Sequence, residues 1–158
     1  MGSTTFSGPV TSKAGFITGT DANILTEAAT LAVTQEAHSG RIINLGVASG
    51  TTVTLPAATG TNAMYRFLVT VSVTSNNDII KVANATDVMV GTASVAGTTG
   101  VSFGTLPASD TITMNGSTSG GLAGSYIEVT DIAAGIFVVR GNLLGSGSVV
   151  TPFSATVS

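Results

Sequence analysis

The sequence predicts an all-β protein: a β-sandwich or barrel-like domain, jelly-roll or tulip-like in form, with an extended N-terminal arm. From Arg41 onward, short β-branched segments recur between Gly, Asn, Asp and Pro punctuation. Several alternate with period two, as at Val53 and Leu55 or Ile112 and Met114, the mark of half-buried strands. With 158 residues, 43% hydrophobic but only 5% aromatic, the chain suits one domain with a core of Val, Ile, Leu and Ala.

Residues 1–20, MGSTTFSGPVTSKAGFITGT, read as the arm. Phe6, Val10, Phe16 and Ile17 follow neither the helical nor the strand period, and Pro9 lacks an amide donor and biases Gly8 away from helix. A disordered tail is the alternative reading, against which two phenylalanines in so polar a segment argue that it docks on a surface. Residues 21–158 then form a single β-rich domain. Its first stretch, DANILTEAATLAVTQEAHSG, is ambiguous. Asp21 is placed to cap a helix carrying Ile24, Leu25, Ala28 and Leu31, but Thr26, Thr30, Val33 and Thr34 are β-branched. A strand through Leu31, Ala32 and Val33, ending in a helical turn at QEAH before Gly40, is the favoured reading.

Strands are expected in turn at RIINLGV, TTVTL, MYRFLVTVSV, DIIKVAN, DVMVGTASV, VSF, DTITM, SYIEVTDI, GIFVVRGN and VVTPFSATV. The loop AATGTN, residues 57–62, is expected to be a compact connector into a strand from Tyr65 to Val73, its small residues letting the chain turn tightly. TVTLPAATGTNAMYRFLV followed by DIIKVAN also echoes TITMNGSTSGGLAGSYIEV followed by GIFVVRGN. The echo matches Val53 with Ile112, Leu55 with Met114 and Tyr65 with Tyr126, and implies two similar units packed face to face.

Only 8% of residues are charged, against roughly 25% in ordinary soluble domains. Too few Lys and Glu remain to keep strand edges apart, so burial of edges in an oligomer is expected. The net charge is −3, and Lys13, Arg41, Arg66, Lys81 and Arg140 are scattered along the chain. No basic patch is visible, which argues against nucleic acid as a partner. No cysteine is present, which excludes disulfide and thiolate chemistry. There is neither a basic start followed by an apolar stretch nor an apolar run near the ~20 residues that span a bilayer, so a cytoplasmically made protein with no membrane partner is expected.

The catalytic classes fare poorly. A phosphate loop needs amides at a helix N-terminus and a lysine, whereas ATGTN precedes a strand pattern and no Gly-Lys pair occurs. Asp21, Asp78, Asp87, Asp110 and Asp131 stand singly near turn residues, where Asp commonly bonds the local backbone, without the clustering a metal needs. His38 is the one histidine and is expected at a turn, partly exposed and bonding a loop carbonyl. Nothing pairs Glu27, Glu36 or Glu128 with another carboxylate for glycoside chemistry. Asn84 and Asn115 match the glycosylation pattern, as chance predicts in a chain this rich in Ser and Thr. No enzyme and no cofactor is expected.

FSGPVTSKAGF, AHSGRIINL, TVTLPAATGTNAMYRF, TSNNDIIKVANATDVMVGT, SDTITMNGSTSGGLAGSYIEV and VVTPFSATV together resemble the head decoration, or cement, proteins of tailed bacteriophages. The resemblance spans nearly the whole chain and is one of phrase order. It implies a homotrimer on the outer surface of the virion capsid, bridging neighbouring copies of the major capsid protein. It also implies an arm lying along the shell or a sister subunit, which makes Phe6, Pro9, Val10, Lys13 and Phe16 the capsid-contact candidates. The alternative within phage structural proteins is a head-fibre or knob module binding host-surface glycan.

Overall fold

A computed structural model describes residues 24–26 and 29–157 of the chain. Two mixed sheets pack face to face as a β-sandwich. Strands β1 (Ile24–Thr26), β3 (Ile42–Leu45), β5 (Met64–Val69), β7 (Val88–Ala96), β8 (Val101–Gly104), β10 (Tyr126–Ala133) and β11 (Ile136–Leu144) build the larger one. Its order is β1-β3-β5-β10-β11-β7-β8. The smaller sheet takes β2 (Thr30–Ala32), β4 (Thr52–Thr54), β6 (Asp78–Lys81), β9 (Thr111–Met114) and β12 (Phe153–Ser154), in the order β12-β9-β6-β4-β2.

Through β6 the chain changes sheet at every strand. Each strand therefore lies parallel to the one two before it: β1 with β3, β3 with β5, β2 with β4 and β4 with β6. Thereafter β7 pairs parallel with β11, while β5–β10, β10–β11, β7–β8, β6–β9 and β9–β12 are antiparallel.

The period-two pattern sets which side chains meet. In the smaller sheet Leu31, Val53, Ile80, Ile112 and Phe153 are cross-strand partners in sequence, a continuous row across all five strands, and all are buried. In the larger sheet Ile43, Phe67, Ile127, Gly141 and Ala93 form the facing row. Gly141 leaves room there for the Ile127 side chain, whose end a Cβ would meet and displace. Tyr65, Phe67 and Phe137 are the fully buried aromatics, each stabilising the sandwich by about 1.5–3 kcal/mol through burial.

The QEAH turn is α1 (Gln35–His38), capped by the Thr34 hydroxyl accepting from the Ala37 amide. Four expectations change. The strand expected to reach Val73 ends at Val69, and VVTPFSATV contributes only Phe153–Ser154. The echoed units lie side by side: β4 and β9 flank β6, and β5 adjoins β10. Val53 and Ile112, like Leu55 and Met114, are equivalently buried. Tyr65 is not equivalent to Tyr126, however; Tyr65 points into the core opposite Val129, and Tyr126 lies on the outer face opposite Leu68.

Candidate interaction face

The AATGTN connector does converge its amides on an anion, and the anion belongs to the protein. Thr59, Gly60 and Thr61 donate their backbone N–H groups to the Asp131 carboxylate at 2.7–3.1 Å, and the Thr61 hydroxyl adds a bond at 2.8 Å. Gly60 has φ +78, a conformation that suits glycine and lets three successive amides point the same way. Burial raises the Asp131 pKa, but the bonds from Thr61, Gly60 and Thr59 outweigh it and hold the carboxyl below its ordinary value. The same loop is fixed at Ala58, whose amide donates to Asp87 at 2.9 Å. It is thus a pinned structural connector with its anion position filled.

All four described aspartates are buried. Asp110 accepts from the Thr156 and Val157 amides at 2.8 and 3.0 Å, holding the C-terminal segment. Asp78 accepts from the Thr51 amide at 2.8 Å, while its Oδ2 and the Thr51 hydroxyl are buried without a partner. Burial pushes Asp78 up to about 6 against the opposing bond from Thr51. These carboxylates bond backbone far away in sequence, which corrects the expectation of local turn contacts.

With the aspartates inside, the charges left to the surface of the described residues are Arg41, Arg66, Lys81 and Arg140 against Glu36 and Glu128. Although the chain's formal charge is −3, the surface of its described residues thus carries four basic groups against two acidic ones. Three of these groups lie in one cross-strand row on the outside of the larger sheet, Arg66 opposite Glu128 and Glu128 opposite Arg140. Glu128 is 3.5 Å from Arg66 Nε and accepts from the Tyr126 hydroxyl at 3.3 Å. The Tyr126 pKa is raised by burial first, then by the Glu128 charge and hydrogen bond.

Beside this row run Met64, Thr130, Val138 and Val90, another set of successive partners, with Ile132 43% exposed at its flank. Tyr, Met and Arg among aliphatics, with few other charges, is the composition of a protein-binding surface. The opposite outer face, on the smaller sheet, carries Thr30, Thr52, Thr54, Thr113 and Lys81 instead.

Among the described residues, the larger sheet also ends in an unpaired edge at β8. Residues 88–109, which include β7 and β8, contain no charged side chain. The Thr105 amide bonds the Gly91 carbonyl and the Gly145 amide bonds that of Ala96, so odd-numbered residues of β7 face β8 and even-numbered ones face β11. By the antiparallel alternation, the main-chain groups of Ser102 and Gly104 point away from β7, and both residues are exposed.

Comparison of the chain with protein-family models, curated proteins and solved structures finds no match.

The capsid-contact candidates Phe6, Pro9, Val10, Lys13 and Phe16 lie outside the described residues. His38 is buried, a correction to its expected partial exposure; its Nδ1 accepts from the Thr34 amide at 3.1 Å and lies 3.2 Å from the Thr34 carbonyl. Asn84 and Asn115 use their side-chain oxygens to close turns, accepting from Thr86 and Asp87 and from Ser117 and Ser119. Among the described residues no three His, Asp or Glu side chains gather as a metal site, and no helix is long and apolar enough to cross a membrane. The Arg66–Glu128–Arg140 row escaped the sequence reading because its members come from three strands. The available signal was one charge at an outward position of each alternating run, YRF, IEV and VRG.

Proposed function

We propose that the chain is a virion structural protein that binds the outside of an assembled tailed-phage capsid as a homotrimer, bridging major capsid protein subunits and stabilising the shell. The observation that carries this reading is the outer face of the larger sheet, where Tyr126, Met64, Val138 and Ile132 surround the Arg66–Glu128–Arg140 row. A protein that binds only the assembled lattice stabilises it by linkage, and a closed trimer engaging three equivalent sites turns weak single contacts into avidity. The low charge and the uncharged β8 edge suit surface intended for burial. The role requires no reaction and no cofactor.

Cryo-electron microscopy of the virion carrying this chain tests the proposal. Density at local threefolds of the shell is the expected result. Density confined to a fibre or tail tip would overturn it in favour of the glycan-binding alternative.

A further inference from the structure

Arg140 is exposed and, unlike Arg66, has no ion pair among the described residues. Its neighbour across the strand, Glu128, holds Arg66 and the Tyr126 hydroxyl through one oxygen, Oε2, so the row sets two guanidiniums against one carboxylate. Alongside it the sheet surface is concave, lined by Met64, Glu128, Thr130, Ile132, Val138 and Arg140. Met64, Ile132, Val138 and the Thr130 hydroxyl thus border the exposed Arg140 guanidinium, with the Glu128 carboxylate on the side toward Arg66; the planar fork of Arg140 matches a carboxylate in two-point geometry.

We infer that this hollow is the specificity element of the docking face, taking from the partner protein an acidic side chain flanked by a large aliphatic one. The carboxylate pairs with Arg140 while the aliphatic group fills the space between Met64, Ile132 and Val138. Charge complementarity selects this occupant: with the aspartates buried, the row on the larger sheet's face carries two arginines to one glutamate, a net positive charge toward an acidic partner. The capsid as the source of that segment rests on the proposed function; the chemistry of the hollow stands on its own residues.

Two measurements separate the two claims. In the first, the full chain is titrated by methyl NMR with an acetylated Leu-Asp-Leu-Glu-Leu peptide and with its Asn/Gln counterpart. The acidic peptide should shift the Met64, Ile132 and Val138 methyls. Its affinity should fall at least tenfold in Arg140→Glu and severalfold in Ile132→Ser, should hold within about threefold in Arg140→Lys, and should weaken with salt. Equal response to the neutral peptide, shifts centred on the Thr-bearing face, or stronger competition by a DNA duplex than by the acidic peptide would overturn the inference. In the second, wild type and Arg140→Glu, matched in melting temperature, are co-sedimented with expanded shells of the phage. Shell binding that survives Arg140→Glu sinks the inference and leaves the decoration role standing, whereas failure of the wild type to bind shells sinks the decoration role alone.

Discussion

At Asp131, three consecutive amides and a threonine hydroxyl are satisfied by one buried carboxylate, so replacing it takes the shared acceptor from four donors at once. Asp131→Asn keeps the size but turns an amide NH2 toward N–H groups; urea unfolding should show a loss of about 2–4 kcal/mol, and a loss under 0.5 would mean that the loop holds its shape unaided. The folded pKa of Asp131 is depressed, so its contribution is present above the unfolded value of about 3.9 and disappears as pH falls through the folded one. Asp78 behaves oppositely. Its folded pKa of about 6 lies above the unfolded value, so the native state binds more protons between pH ~4 and ~6 and stability declines as pH rises through that window. The decline should be on the order of 2–3 kcal/mol, and Asp78→Asn should flatten it. A wild-type urea midpoint that rises from pH 4.5 to 7 would contradict this.

Single strands were readable because alternation is a local property: Val53, Ile80 and Ile112 each announce an inward face within a few residues of sequence. Their arrangement was not, because pairing depends on register between distant segments. Nothing in TTVTL or DIIKVAN says that Val53 and Ile80 lie parallel. The Tyr65–Tyr126 match failed for a related reason: shifting a strand by one residue reverses which face its side chains take. The same limit hid the site, since Arg66, Glu128 and Arg140 become neighbours only once three strands align, and Asp131 reads as a turn residue until the 59–61 loop folds onto it. At the β8 edge, Ser102 aims its amide away from β7, so Ser102→Pro removes no ladder bond among the described residues. It should change stability by less than about 1 kcal/mol while weakening self-association if β8 is buried in the assembly. Sedimentation velocity against wild type reads the difference, and an unchanged oligomer would place the subunit contact elsewhere.

For the whole molecule, the two outer faces assign different roles to the two sheets: an Arg- and aliphatic-bearing surface on the larger and a threonine-bearing one on the smaller. Light scattering at micromolar concentration should report a trimer, and a strict monomer would remove the reason given for so little surface charge. Deleting residues 2–16 should leave the trimer folded while weakening shell binding; equally tight binding would end the role assigned to Phe6, Pro9, Val10, Lys13 and Phe16.

The strand order also has a temporal meaning during synthesis on the ribosome. From β1 to β6 each new strand finds its neighbour two strands back, so the nascent chain can wind up as it emerges. β7 instead waits for β11, Val88 for Ile136. For that interval the uncharged β7–β8 hairpin has an unpaired edge on both sides, the state most open to aggregation. Chains released after residue 135 should therefore aggregate more readily than chains released after Lys81, and a pelleting assay on the two truncations measures that hazard.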